Sequence, residues 1–507
     1  MTQWTRIACL AVAFTLAACS GGGSSDDDDT SSTDADSDAD SDADSDTDSD
    51  TDTDGDGECG PGGTDAESFA HEYDVGPDQE YASPSDVPWE SLAPGSIVRI
   101  HYRAEPYADK WVINTVGTPE APVVVRGIME GDLRPVITGE DAVTRPELSY
   151  WNEDRSVVKV GGSNLPSDDL VPAWVTIENL DIRSARPVFG FTDDDGAPGA
   201  YSSNAAAVHI EVGEHITVRN CLLHDAGNGL FSGHGSSDVV ITGNHVYDNG
   251  IEDSIYEHNS YTESFHITFE YNHYGPLRSG CLGNNLKDRS AGTIIRYNWI
   301  ESGNRQLDLV ESDYEDFVGD PSYDETFVYG NVLVEPDGAG NSQLVHYGGD
   351  GGDTSMYRAG TLHFYGNTVV STRSGNTTLF RLSTDDVDAD VRNNVVLATA
   401  GGDYLAICSS TGNTSLADNW LSSGWVETHE AAMSGTVTDD GNVEGSDPGF
   451  TDPGGQDFTL AEASECLGAA GELAPAALPL TCQYAPHQEG EPRPDDGDPD
   501  IGAFERP

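Results

Sequence analysis

The chain has 507 residues and carries 90 Asp and Glu against 23 Lys and Arg, a formal charge of −67. Phosphate polymers and anionic membrane faces need a basic stripe to bind, so this balance excludes nucleic acid as a partner. The same field opposes a polyuronate or a sulfated glycan unless a cation intervenes.

Taken from the N-terminus, Arg6 precedes an apolar run of 11 residues, Ile7 to Ala17. That run is too short to span a bilayer and has the build of a secretion signal, residues 1–18. Leu16-Ala17-Ala18-Cys19 resembles the bacterial lipobox, which implies that Cys19 becomes a lipidated first residue. Ser20 after it resembles outer-membrane sorting. The resemblance implies a lipid-anchored protein of the bacterial cell envelope, at the outer membrane or cell surface, touching the membrane through lipid alone. Residues 26–58 contain 16 Asp and one Glu with no Lys or Arg, which leaves −50 of the formal charge on the remainder. Asp at every second position cannot form a buried face, so residues 19–63 read as a disordered acidic tether. A solvated spacer is preferred there over loose calcium binding.

From residue 64 the pattern changes to short β-branched runs closed by Gly or Pro, beginning with residues 89–140 and continuing at 156–160, 174–183 and 207–218. Residues 190–204 read as a loop. Between 204 and 397 a phrase recurs: an alternating apolar run, an Asn, a second apolar run, then turn residues. Its Asn positions are 220, 244, 272, 298, 331, 367 and 394, separated by 24, 28, 26, 33, 36 and 27 residues. Strands at that spacing with no helical pattern between them predict an all-β solenoid over 64–460, monomeric, with a capping tail at 461–507. Asn220, Asn244, Asn272, Asn298, Asn331, Asn367 and Asn394 read as a structural ladder, since Asn tolerates left-handed bends and can bond neighbouring main chain. The opening runs and the ending Asp500-Ile501-Gly502-Ala503-Phe504-Glu505 resemble secreted right-handed parallel β-helix proteins. Six cysteines follow Cys19, and Cys466 with Cys482 is the expected local disulfide.

In such a solenoid, outward side chains on adjacent coils lie about 4.8 Å apart, so residues one coil apart in sequence can share chemistry. The densest set of candidates is 256–313, where Arg278, Lys287, Arg289, Arg296 and Arg305 fall in a chain otherwise short of cations. Alternation points Leu286, Leu307 and Leu309 inward and Lys287 and Asp308 outward, as neighbours on successive coils. His258, with Tyr256 and Tyr261, stands one coil earlier; His346 and Tyr347 stand one coil later. Abstraction of the proton alpha to a uronate carboxyl group needs a base and a charge that neutralises the carboxylate. Lys287 suits the base if nearby cations lower its pKa, and Arg278, Arg289 or Arg305 suits both that task and the neutralising charge. Glu257, Asp308, Glu311 and Asp313 are oxygen ligands of the kind that hold Ca²⁺.

Asn285-Leu286-Lys287-Asp288-Arg289-Ser290 resembles the Asn-Lys-Ser motif of the chondroitinase B and alginate lyase family of polysaccharide lyases. The resemblance implies a parallel β-helix, eliminative cleavage of a uronate-containing polysaccharide with Lys287 as base, and calcium beside it. The family's second motif, Arg-His-Gly, is replaced by Asp308-Leu309-Val310-Glu311, which leaves Arg305 as the substitute arginine. Two other functions fit the sequence. One is a glycoside hydrolase that pairs Asp308 with Glu311 or Glu257. The other is an adhesive glycan-binding module that uses Tyr256, Tyr261, Tyr271, Tyr274 and His273 as sugar platforms.

Overall fold

The computed structural model describes residues 59–63, 68–495 and 497–507. The signal segment, Cys19 and the acidic run of 26–58 lie outside the described residues. The rest is a parallel β-helix with three faces. One face stacks strands from His71–Val75 and Ser96–His101 to Thr436–Asp440. A second begins at Asp109–Ile113 and passes through Ser260–Thr262, Leu286–Asp288, Leu307–Leu309, Gln343–Tyr347 and Thr377–Leu382 to Leu405–Cys408. The third runs over 11 strands from Val136–Thr138 to Val443–Gly445. Two long strands, Ala206–Arg219 and Asn228–Thr242, bend through both of the first two faces and join them into one sheet. Residues 190–204, expected as a loop, form an antiparallel hairpin of Gly190–Thr192 with Pro198–Ala200. The turn between them is closed by Asp193 and Ala197, whose local bonds the sequence pattern did not distinguish from a loop.

Alternation sets the inside. Leu286, Leu307, Val345 and Phe380 are register partners on successive coils, and all are buried. At the corner leading into the third face the Asn ladder forms. Each amide oxygen accepts from the backbone N–H and, where present, the side-chain amide of the coil before, from Asn244 through Asn272, Asn298, Asn331, Asn367 and Asn394. It continues to Asn419 and Asn442. Asn220 is not in it. The residue before each rung takes the left-handed bend, as Asn220, Tyr271, Tyr297 and Asn393 do, so Cys221 occupies the ladder position on the Asn220 coil. A second Asn ladder, Asn249, Asn259 and Asn285, lies within the coil beneath the second face.

The tail, expected as a cap, packs against the side of the coils. After the hairpin of Phe450–Asp452 and Asp457–Leu460, it runs back along the side of the coils. Gly471 donates to the Asn393 side chain, the Tyr365 hydroxyl to Leu478 and the Gln488 amide to Gly243, so the chain passes successive coils in reverse. It then returns, with Ala503 donating to Thr368. Tyrosines 271, 297, 329 and 365, stacked in the first and last pairs and edge to face between them, supply the apolar strip under this strap. The disulfide joins Cys59 to Cys482, not Cys466 to Cys482. Cys482 faces the tyrosine strip, whereas Cys466 is buried in a separate cluster around Phe450 and Phe458. Cys59–Gly63, read as part of the tether, is thus held against the solenoid. Among the described residues, no helix is long and apolar enough to cross a membrane.

Candidate active site

On the second face, one outward position per coil forms a continuous row: Lys159, His209, Phe231, Tyr261, Lys287, Asp308, His346 and Arg381. The site lies where this row becomes charged. Lys287 and Asp308 are direct register partners, and the Lys287 Nζ lies 2.9 Å from Asp308 Oδ2. The Asn284 amide donates to the same oxygen at 2.6 Å. The other oxygen, Oδ1, meets His346 Nδ1 at 2.8 Å, with Arg305 at 3.6 Å. His346 Nε2 lies 2.9 Å from Ser383 Oγ. Asp308 and His346 are each 1 % exposed, so these bonds are made in a poorly hydrated setting where electrostatic contacts are strong.

A glycine-rich loop after Gln343–Tyr347 covers the cations. Its Asp350 carboxylate reaches Lys287 at 3.2 Å and Arg289 at 3.8 Å. Asp350 is 42 % exposed at the side chain, against 9 % and 11 % for the two cations. Glu311 clamps the loop by accepting from the Asp350 and Gly351 backbone N–H groups. Ser383 Oγ pins the loop as well, accepting from Gly349 N at 3.0 Å and donating to Gly349 O at 2.8 Å. The loop lies so close that a Cβ at Gly349 or Gly351 would strike the Tyr357 ring or the Glu311 carboxylate. Tyr261 accepts from Arg289 Nε at 3.0 Å.

These contacts revise several roles read from the sequence. Burial opposes charge on Lys287, but Asp308 and Asp350 outweigh it and raise its pKa, so the lysine is a held cation and the lowering required of a base is not met. Burial likewise opposes ionisation of Asp308, yet His346 and Lys287 hold its carboxyl well below the usual carboxylate range. His258 is fully buried, which pushes its imidazole down to about 3, and its Nδ1 accepts from Asn284 N at 2.9 Å. It supports Asn284 from behind and is closed off from solvent. Arg278 turns to Asp225 and Asp248, and Arg296 to Glu270, both away from Lys287.

The four carboxylates expected to bind calcium do not converge. Asp308 is taken by its three donors, Glu311 by the loop and Asp313 by Arg289, while Glu257 is buried separately. Among the described residues, no group of three or more His, Cys, Asp or Glu is arranged to hold a metal ion. The proposed hydrolase pairs are committed in the same way, with Asp308 ionised and Glu311 serving as a clamp. Of the expected sugar platforms, Tyr271 and Tyr274 are buried, the latter against Ser260, and His273 is stacked between His245 and His487. Tyr256 is 73 % exposed.

Asn284, Asp350, Arg381 and Ser383 were not recognised from the sequence. A signal for Arg381 was present: Leu286-Lys287-Asp288, Leu307-Asp308-Leu309, Val345-His346-Tyr347 and Phe380-Arg381-Leu382 are one triplet with an outward polar centre, repeated on four coils. Asp288, at the inward end of the first triplet, forms a fully buried ion pair with Arg358 at 3.0 Å and bonds Thr262, Ser290 and Thr293.

No family model matches this chain, and no curated protein matches it. Solved structures resemble it at low identity. An alginate lyase from Paenibacillus is 13 % identical, covering 64 % of this chain and 92 % of its own, with a TM-score of 0.40. Pectate lyase Pel9A is 12 % identical, covering 87 % and 97 %, with a TM-score of 0.48. A lacto-N-biosidase from Eubacterium ramulus is 13 % identical, covering 74 % and 68 %, with a TM-score of 0.39.

Proposed function

We propose that this protein acts on a polysaccharide, cleaving a uronate-containing glycan by elimination across the face that carries Lys287. The observation that carries this reading is the Asp350 carboxylate held between Lys287 and Arg289. Two nearly buried cations paired with a more exposed loop carboxylate make a site whose occupant a sugar carboxylate can replace. Substrate binding then keeps both cations neutralised, and the same charges stabilise the enediolate as the alpha proton leaves.

In this reading Lys287 and Arg289 are the carboxylate partners, because a lysine that arrives protonated cannot accept a proton. Tyr261, hydrogen-bonded to Arg289, is the oxygen that moves the proton. Asp308 fixes Lys287, and Arg305 extends the cationic stretch toward the next sugar. This local charge answers the repulsion expected between an acidic chain and an anionic glycan. A panel of uronate and neutral glycans, followed by ultraviolet absorbance of the unsaturated product, tests the proposal. Elimination on a uronate glycan, reduced by about 10²–10⁴-fold in Tyr261→Phe with folding kept, is the expected outcome. Release of reducing ends without unsaturation, or full activity in Lys287→Ala, rejects it.

A further inference from the structure

We infer that Ser383, His346 and Asp308 form a nucleophile–base–orienting triad that hydrolyses carboxylic esters, a second activity on the same face. The three residues come from three successive coils. Ser383 Oγ lies 2.9 Å from His346 Nε2, and His346 Nδ1 lies 2.8 Å from Asp308 Oδ1. Both distances are those that nucleophile–base and base–orienter pairs require.

The direction of the proton chain follows from the donors around Asp308. Its Oδ2 is taken by Lys287 and Asn284, and the charge of Lys287 together with the His346 contact holds the carboxyl ionised, so Oδ1 accepts. His346 Nδ1 therefore carries the ring proton, and Nε2 presents its lone pair to Ser383, competing with Gly349 O for the one hydroxyl proton. Burial keeps the imidazole of His346 neutral at rest, lowering its pKa against the pull of Asp308. Ser383 is the partly exposed end of this chain, while His346 and Asp308 are buried behind it. A serine that only latches the glycine-rich loop needs its two bonds to Gly349. It does not need an ionised carboxylate to orient the histidine at its back.

In the reaction, the Ser383 hydroxyl turns its single proton from Gly349 O to His346 Nε2, and Oγ attacks the ester carbonyl carbon as that proton passes to the ring. The Gly349 N–H, now directed at Ser383 Oγ, can turn to the developing oxyanion. Arg381 is the register neighbour of His346, two positions before Ser383, and its buried Nε has no hydrogen-bond partner. It is the second donor. The carbon–oxygen bond to the alcohol breaks, and the alkoxide takes the proton from His346. Water then attacks the acyl-serine through the same base, so one ester and one water give one alcohol and one carboxylic acid. The cations beside the triad, Arg381, Arg305 and Lys287, favour an O-acyl ester carried on an anionic sugar chain. That substrate class rests on the eliminative reading above, whereas the triad does not.

The test uses the full chain with a fluorophosphonate probe, followed by peptide mapping, and with p-nitrophenyl acetate as a minimal ester. The expected results are a single adduct on Ser383 in the folded protein, none after urea unfolding, and ester hydrolysis lower by about 10²–10⁴-fold in His346→Ala. No adduct on Ser383 in folded wild type, or an adduct elsewhere, overturns the assignment. Labelling of the wild type decides even where Ser383→Ala fails to fold. The unsaturated-product assay is read separately, so failure of the esterase leaves the eliminative reading standing, and the reverse.

Discussion

Asp308→Asn keeps the size of the side chain and removes its charge. In the native site, Oδ2 accepts from Lys287 at 2.9 Å and Asn284 at 2.6 Å, and Oδ1 accepts from His346 at 2.8 Å. An amide NH₂ must face one of these donors, and Lys287 is left with only the more exposed Asp350 to balance it. Removing one partner of a buried ion pair costs about 3–5 kcal/mol. The remaining amide oxygen and Asp350 place this case near the lower end, at about 3 kcal/mol.

The pH dependence follows from the signs of the two shifts. The Asp308 carboxyl is depressed in the fold, so its contribution is complete above its unfolded pKa of about 3.9 and is lost as pH falls toward the lower folded value. Lys287 is raised, so its contribution is complete below its unfolded pKa of about 10.4 and is lost only as pH rises through the higher folded value. The gap between wild type and variant is therefore flat from about pH 5 to 9 and narrows below about pH 4. Urea unfolding followed by tryptophan fluorescence, at neutral and acid pH, measures it. A gap under about 1 kcal/mol at pH 7, or one that stays constant into acid, refutes the assignment of Asp308 as the ionised centre of the site.

Asn331→Ala removes an amide that accepts from Asn298 and donates to Ile295, Tyr329 and Asn367. At about 1–3 kcal/mol for each buried group left unpaired, it should cost at least about 3 kcal/mol, and an unchanged thermal midpoint would count against the ladder as a stabilising element. Turnover of an anionic glycan should rise between about 50 and 200 mM salt, because screening weakens the long-range repulsion from an acidic chain more than the contact ion pairs. A steady fall over that range would show attraction instead. Non-reducing peptide maps should link Cys59 to Cys482, with Cys221, Cys281, Cys408 and Cys466 alkylated as free thiols after unfolding; a Cys466–Cys482 peptide would contradict the observed strap.

What the sequence disclosed depended on period. Alternation placed Leu286, Leu307 and Leu309 inward with Lys287 and Asp308 outward, because a strand's two-residue repeat leaves no other arrangement once one side is buried. The Asn ladder was visible at Asn244 and beyond, yet Asn220 fell one position short of it. In the phrase Arg219-Asn220-Cys221 the Asn takes the bend and a cysteine takes the rung, and residue type alone cannot separate these roles. Asp350 and Ser383 escaped notice because irregular loops bring them to Lys287 and His346, and no period governs loops of unequal length. The partnership of Cys59 with Cys482 spans 423 residues and depends on a strap whose path only the assembled coils determine.

That covalent link has a mechanical meaning. Residues 59–63 do not lead straight into the first coil; they lie beside the middle of the stack, where Gly60 approaches Gly490 and Pro61 approaches Gly243. A pull on the chain upstream of Cys59 is therefore delivered through the disulfide to the hairpin of Cys482–Ala485 and Glu489–Pro492. From there it spreads as shear over several coils at once, and the terminal strand His71–Val75 is not peeled off bond by bond.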